Sequence, residues 1–362
     1  MLGISIYPYK EKLEDTLNYL KLANKYGYKR IFMNFIILDD RDIDEIIEKY
    51  EIILKEAKKL DFQVVMDINQ HSIDCLKKDN YLEYFSSIGL YGIRLDETFG
   101  GNKEAEMTYN DYDLKIEFNL SQGSKYIDHI MSLKPNKNAI MLCHNFYPQR
   151  YTGLSVEFFE RVTKKYKNLG LRTAAFVASS VADHGPHPFN DSLVTIEEHR
   201  EMNILSQAKY FIATGLIDDI IISNAFASEE ELKNLSEIYK PYVIFDIELE
   251  KDLTDDEEDI LNYFHQNRQD ANDIIIRSSF GRIDKKNANI PESNSKIEFK
   301  KGDISISNND FLQYKGELNV YKKDLKLKEV EGLRNKIGKI VDEEIFLLDY
   351  ITEYSRFKFR KR

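Results

Sequence analysis

No tryptophan occurs in the 362 residues, and cysteine appears only at Cys75 and Cys143. Two thiols are too few for a disulfide framework or a thiolate-rich zinc cluster, so both are expected to be buried and unpaired. An excess of positive charge is also missing. The 51 Lys and Arg stand against 62 Asp and Glu, a formal net charge of −11, the opposite of a surface that coats phosphates, so nucleic acid is excluded as an expected partner. No apolar run approaches the ~20 residues that cross a bilayer. The opening MLGISIYPYK lacks the basic region and long apolar stretch of a secretory signal, so a cytoplasmic protein with no membrane insertion is expected. What remains is 42% hydrophobic and 31% charged, the proportions of a folded globular chain. At ~150 residues per domain, the length suggests about two domains.

From residue 3 to about 228, short apolar runs alternate with segments of helical period, the pattern of consecutive βα units. Eight strands are predicted: Gly3 to Tyr7, Arg30 to Phe35, Gln63 to Ile68, Gly92 to Asp96, Lys115 to Leu120, Ala139 to His144, Thr173 to Ser179 and Asp219 to Asn224. Each is mostly apolar on both alternating faces, as expected for strands covered on both sides. Between them, Leu13, Leu17, Leu20 and Ala23, then Ile43, Ile46, Ile47, Tyr50, Ile53, Leu54 and Ala57, recur at three and four and predict one buried stripe per helix. Thr195-x-x-Glu198 and Ser228-x-x-Glu231 read as capping boxes that open helices. The fold class is α/β, a TIM (β/α)8 barrel over residues 1–239, with its active site at the C-terminal strand ends. Because spacing does not prove closure, a doubly wound sheet is the alternative. After Tyr239-Lys240-Pro241 the runs shorten and alternate: Val243 to Glu248, Asp273 to Ser278, Asp303 to Ile306, Tyr314 to Tyr321, Lys336 to Val341 and Phe357 to Phe359. These predict a small β-rich domain over 240–362. The stretches Asp252 to Asp259 and Asp284 to Lys296 read as solvated connections.

In a barrel the strand ends converge on one mouth. Here they offer Tyr7, Asn34, Asp67, Asn69, Arg94, Asp96, Glu97, Glu117, Asn119, His144 and Asn145, groups that bind or protonate sugars. Glycosyl transfer to water needs one carboxyl that holds a proton and a second that is ionised. Asp67 and Asp96 stand on neighbouring strands, with Glu97 in reserve because the pleat turns it away from Asp96. His144-Asn145-Phe146-Tyr147-Pro148 places a polar pair before aromatic rings that can cover an apolar sugar face. Cys143 and His144 point to opposite faces and do not make a nucleophilic pair. Asp183-His184-x-x-His187 lacks the further ligands of a metal site, and no cofactor or metal is expected. The glycine-rich phosphate loop of many barrels is missing after Ile222-Ser223-Asn224, so a phosphate would need side-chain cations. Arg150, Arg277 and Arg282 are the candidates, the last two in a turn with Ser278.

These residues resemble the bacterial 6-phospho-N-acetylmuramidase family. The resemblance runs nearly the whole length. It rests on Gly3-Ile4-Ser5-Ile6-Tyr7-Pro8, Gly92-Ile93-Arg94-Leu95-Asp96, His144 to Pro148, Tyr151-Thr152-Gly153-Leu154-Ser155 and Gly185-Pro186. In the second half it continues through His265-x-Asn267-Arg268-x-Asp270, Arg277-Ser278-Ser279, Tyr314-x-Gly316-Glu317-Leu318 and Gly338-x-Ile340. It implies a TIM barrel followed by a small cyclophilin-like β domain. It also implies a hydrolase that splits N-acetylmuramic acid 6-phosphate from β-1,4-linked N-acetylglucosamine during cell-wall turnover, after uptake and phosphorylation of the disaccharide. Compared with the family pattern, His184 stands where an Arg is usual and Arg150 falls one position late, so both join the candidate ligand-binding residues with Tyr147.

The expected function is therefore a cofactor-independent glycoside hydrolase acting on a phosphorylated muramic disaccharide. Asp67 and Asp96 are its carboxyl pair, and His144, Asn145 and Asn119 bind the sugar. Two other readings stay open. One is an isomerase or lyase on a sugar phosphate with His144 as acid and base; the other is a non-catalytic carbohydrate-binding protein, which the missing tryptophan counts against. The carboxyl separation, which decides between retention and inversion, and the oligomeric state are not readable from the sequence.

Overall fold

The computed structural model describes residues 1–35, 43–182, 184–186 and 191–362. It divides into one compact unit of Met1–Phe211 and Gly215–Tyr239 and a second of Lys240–Arg362 with Ile212–Thr214.

The first unit is a closed parallel barrel of β1 (Leu2–Ile6), β2 (Arg30–Asn34), β3 (Gln63–Ile68), β4 (Gly92–Leu95), β5 (Lys115–Asn119), β6 (Ile140–Cys143), β7 (Arg172–Val177) and β8 (Asp219–Ile222). Closure is settled by Leu2, Gly3 and Ile4 pairing with Ile220, Ile221 and Ile222, so the doubly wound alternative is excluded. All eight strands fall within the predicted runs to within a residue or two at each end. The helices between them are α1 (Leu13–Lys25), α2 (Ile43–Lys59), α3 (Gln70–Leu76), α4 (Tyr81–Ser87), α5 (Asn102–Met107), α6 (Ser124–Ser132), α7 (Val156–Lys167), α8 (Ile204–Thr214) and α9 (Glu229–Ile238). In α1 the buried stripe is Thr16, Tyr19, Leu20 and Ala23, one turn-spaced face against the barrel. Helix α9 opens on the expected capping box, with Ser228 and Glu231 each satisfying the other's backbone N–H.

Two layers fill the barrel. Toward the strand N-termini, Arg30 is fully buried, donates to Glu117 Oε2 at 2.5 Å and lies 3.7 Å from Asp219, while Arg172 Nε reaches Asp219 at 2.8 Å. Gly3 makes room for this arginine, since a Cβ there would stand 2.9 Å from Arg30 Cβ. Above, Phe32 and Phe176 meet edge to face at 5.2 Å, and Phe146 meets them at 6.0 and 5.0 Å. Each such contact adds ~0.5–1.5 kcal/mol beyond burial.

Thr195-x-x-Glu198 does not open an α-helix. The chain makes only a 3-10 turn, Glu197–His199, because the Thr195 hydroxyl is committed elsewhere: it accepts from Phe176 N at 2.9 Å and donates to the Asn145 carbonyl at 2.9 Å.

The second unit is built on a seven-stranded sheet in the order β10-β17-β9-β16-β13-β14-β11. These strands are β9 (Val243–Leu249), β10 (His265–Gln266), β11 (Ile275–Ser278), β13 (Asp303–Ser307), β14 (Leu318–Tyr321), β16 (Arg334–Ile340) and β17 (Arg356–Lys361), with β12 (Glu298–Phe299) and β15 (Leu325–Lys326) as a separate ribbon. Pairing is antiparallel except between β9 and β17. Phe245, Ile247, Ile304, Val320 and Ile337 are among its buried core. The acidic stretch read as a solvated connection is helix α10 (Asp255–Leu261), opened by a Thr254/Glu257 capping box. Its four acidic first-turn residues suit the positive end of the helix, and Ile260 and Leu261 bury its other face. Helix α11 (Phe280–Asp284) completes the unit. Among the described residues no helix is long and apolar enough to cross a membrane.

Candidate active site

At the C-terminal strand ends a cavity of about 150 Å³ is lined by Phe32, Asn34, Asp67, Arg94, Asp96, Asn145, Phe146, Phe176 and Pro186. Parallel register explains the grouping: Asn34 pairs with Asp67, Asp67 with Arg94 and Arg94 with Glu117, so residues of one row on neighbouring strands face the same interior.

Arg94 is the hub. Its Nη1 donates to Asp67 Oδ1 and, at 3.3 Å, to Asp96 Oδ1, while Nη2 donates to Asn145 Oδ1. Two oxygens bound to one nitrogen stand within about 6 Å of each other. Asp67 is buried, and loss of solvent raises its carboxyl to about 6; Arg94 opposes the rise, while Asp96 and Glu117 add to it. Burial alone would lower the Arg94 guanidinium, but Asp67 and Asp96 reverse this and hold it above its usual value. Asp96 follows the last residue of β4 with its side chain 45% exposed. The site thus offers a buried carboxyl able to hold a proton, an accessible carboxylate, a fixed cation between them and an aromatic wall.

The other expected residues are placed differently. His144, expected to bind the ligand, is completely buried. Its Nε2 contacts Thr163 Oγ1 at 2.8 Å and its Nδ1 contacts Ser121 Oγ at 3.2 Å. Since Thr163 gives its own proton to the Phe159 carbonyl, His144 donates through Nε2 and accepts from Ser121, which in turn accepts from Asn145 N at 2.8 Å. Burial lowers this imidazole to about 3. His144 is therefore a neutral support for Asn145, outside the cavity lining. Tyr7 is also buried, its hydroxyl donating to the Ser223 carbonyl at 2.6 Å. Asn119 accepts from Ser121 N at 3.0 Å, and half-buried Tyr147 is anchored by its backbone to Val194. Glu97 is exposed and accepts from Gln70 N at 3.3 Å. Arg150 is held by Asp191 through two bonds, 2.7 and 3.0 Å, and by Glu201, so it is engaged by carboxylates. His184 pairs through its backbone with Ala225, and its buried Nε2 has no partner among the described residues. Asp183 and His187 lie outside the described residues.

Arg277, Ser278 and Arg282 belong to the second unit. Arg277 donates to buried Glu317 at 2.9 and 3.1 Å, Arg282 approaches the same carboxylate at 3.6 Å, and both guanidinium groups lie over the Tyr314 ring. Ser278 is buried against His265 Nδ1 at 2.9 Å. In the first unit, the place beside strands 7 and 8 where many barrels seat a phosphate holds the Glu231 carboxylate. It accepts from Ser179 Oγ and Ser180 N, both at 2.7 Å.

Of the lining residues, Pro186 entered the sequence reading only through the Gly185-Pro186 resemblance, and Phe32 and Phe176 were not singled out. Their signal was parity: Phe32 lies two before Asn34 on the same face of β2.

A profile described as 6-phospho-N-acetylmuramidase, N-terminal, matches residues 2–237, and its C-terminal counterpart matches 243–360. A crystal structure of an uncharacterized B. cereus protein is 37% identical over 99% of both chains, with a TM-score of 0.90. A conserved Enterococcus faecalis protein of unknown function is 22% identical over 100% of this chain and 96% of its own, with a TM-score of 0.72, a likeness of fold. A search of curated proteins returns no match.

Proposed function

The chain belongs to the 6-phospho-N-acetylmuramidase family, and on that premise we propose that it hydrolyses the β-1,4 bond between N-acetylmuramic acid 6-phosphate and N-acetylglucosamine in the cytoplasm, during cell-wall recycling. The observation that carries this reading is the sharing of Arg94 by Asp67 and Asp96 inside an aromatic-walled cavity.

In this reading Asp67 is the acid, because its carboxyl holds a proton up to about 6. It gives that proton to the glycosidic oxygen as the bond to the anomeric carbon breaks, and Arg94 stabilises the carboxylate left behind. Asp96 is the nucleophile and takes up the anomeric carbon as an ester. Water, deprotonated by Asp67, then releases the sugar and restores both carboxyl groups. The two oxygens bound to Arg94 Nη1, one from each carboxyl, stand within about 6 Å of each other, which supports the ~5–5.5 Å spacing of retaining enzymes over the ~6.5–9.5 Å that inversion needs to admit a water. Phe146 and Phe176 face the apolar side of the pyranose, and Asn34 and Asn145 bind its polar substituents. Arg277 and Arg282 are the second unit's candidates for a phosphate, and that unit takes the cyclophilin-like fold the resemblance implies. Burial of His144 with both nitrogens engaged speaks against the isomerase or lyase reading.

Asp67→Asn and Asp96→Asn each test this. Turnover of the phosphorylated disaccharide falls by about 10²–10⁴-fold in a folded protein; undiminished turnover in either variant removes that residue from the mechanism.

A further inference from the structure

We propose that the second unit carries a pocket for the phosphate monoester of a single sugar, in which Arg268, now held by Asp270, takes the phosphate and Tyr354 covers the ring. Such binding is independent of the chemistry assigned to the barrel.

Buried Asn267 assembles the pocket. Its Oδ1 accepts from Arg268 N at 3.0 Å and from Arg277 N at 3.2 Å, and its Nδ2 donates to the Thr352 carbonyl at 3.0 Å. One amide thus joins the segment of Arg268, the segment from Arg277 to Ser279 and the turn that carries Tyr354. Beside it lies a cavity of about 220 Å³ whose lining includes Arg268, Asp270, Ser279, Phe280 and Tyr354. That is smaller than the ~300–1,000 Å³ of pockets for drug-sized ligands and suits one sugar ring. Tyr354 is 57% exposed in the left-handed region, with a φ of +59°, where a bulky residue stays only if its surroundings hold it. Its hydroxyl donates to Gln269 Oε1 at 2.9 Å and its carbonyl accepts from Gln266 Nε2 at 3.2 Å. An aromatic face kept in solvent beside side-chain amides offers a sugar ring both its apolar and its polar contacts.

Charge points to a phosphate. Arg277 and Ser279 donate to the buried Glu317 carboxylate, Arg282 lies 3.6 Å from it, and Ser279 Oγ accepts from Arg268 Nη1 at 3.3 Å. Three guanidinium groups therefore share one cluster with two carboxylates, Glu317 and Asp270, which leaves one positive charge unmatched in a chain of net charge −11. Arg282 donates no hydrogen bond among the described residues. Asp270 is held by Arg268 through two bonds, 2.6 and 2.8 Å, yet is 53% exposed, and it also lies in the field of Arg277. Its carboxylate occupies the fork in which a ligand oxyanion sits. An exposed ion pair contributes little, and a phosphate dianion, which fits the same fork bidentately, displaces it. Arg277 and Arg282 supply the surplus charge and Arg268 makes the contact.

The test is calorimetric titration of the full chain with glucosamine 6-phosphate, which has no glycosidic bond to cleave, and with inorganic phosphate, glucosamine and lactate. Glucosamine 6-phosphate is expected to bind, inorganic phosphate to bind more weakly, and glucosamine and lactate not to bind. Arg268→Gln weakens glucosamine 6-phosphate by about 10–100-fold. Asp270→Asn, which frees the fork, tightens it by about 2–5-fold. Tyr354→Ala weakens the sugar phosphate and leaves inorganic phosphate unchanged. Should Arg268→Gln not fold, the gain in Asp270→Asn decides, because breaking a merely structural ion pair yields no gain. Affinity that follows neither substitution places the ligand elsewhere, the barrel included, and overturns the proposal, as does lactate binding as tightly as glucosamine 6-phosphate. Absence of disaccharide turnover overturns the hydrolase reading instead and leaves this titration to decide the pocket.

Discussion

Acidification from pH 7 to 5 is expected to destabilise the protein through three buried histidines. His144 and His199 in the first unit are held neutral down to about 3, and His265 in the second down to about 4, in each case because burial penalises the imidazolium. Above the ordinary value of 6.5 each is neutral whether folded or unfolded and contributes nothing to the pH dependence. Below 6.5 the unfolded chain takes up a proton that the folded chain refuses, so stability is lost as pH falls, down to the folded-state values. At pH 5 the gap is about 1.5 units, or about 2 kcal/mol per histidine. That amounts to about 4 kcal/mol for the first unit and about 2 for the second, against the ~5–15 kcal/mol typical of a domain. Asp67 and Glu11, both raised to about 6 by burial, bind protons in the folded state and oppose this loss, so the informative quantity is a difference between proteins. His144→Gln keeps an amide that can reach Ser121 and Thr163 but cannot titrate. Denaturant unfolding at pH 7, 6 and 5 is expected to show its acid-induced loss smaller than that of the unaltered protein by about 2 kcal/mol, whatever the variant costs at pH 7. Equal losses in the two proteins would refute the assignment of His144 as buried and neutral.

The shared Arg94 contact predicts the stereochemistry: proton NMR during turnover should show the anomeric configuration of the released N-acetylmuramic acid 6-phosphate retained, and an inverted first product would contradict the Asp67/Asp96 pair. Gly3→Ala places a Cβ 2.9 Å from Arg30 Cβ, and the displaced buried guanidinium should cost ~1–3 kcal/mol in thermal unfolding; an unchanged Tm would mean the barrel floor yields freely.

The barrel was legible because most strands are largely apolar on both faces and the helices on one, and that contrast survives without tertiary information. Closure was not legible, since it depends on β1 pairing with β8. At the mouth, the row of Asn34, Asp67 and Arg94 could be read because strand parity and strand ends are sequence properties. His144 could not. A histidine after an apolar strand reads the same whether it faces the cavity or is roofed by helix α7 through Thr163 and Phe159. Phe32 and Phe176 look like ordinary core in sequence, and only the barrel's curvature turns them into a wall. The Thr254-x-x-Glu257 box was obscured by the acidic run around it, whereas the same spacing at Ser228 was plain. At Thr195 the motif misled because a tertiary partner, Phe176 N, won the hydroxyl.

The central claim is most directly tested by incubating the purified protein, with chelator present, with the 6-phosphorylated muramic disaccharide and with its unphosphorylated twin, following products by mass spectrometry. The account predicts N-acetylmuramic acid 6-phosphate and free N-acetylglucosamine from the phosphorylated form alone. Cleavage of neither disaccharide would contradict it.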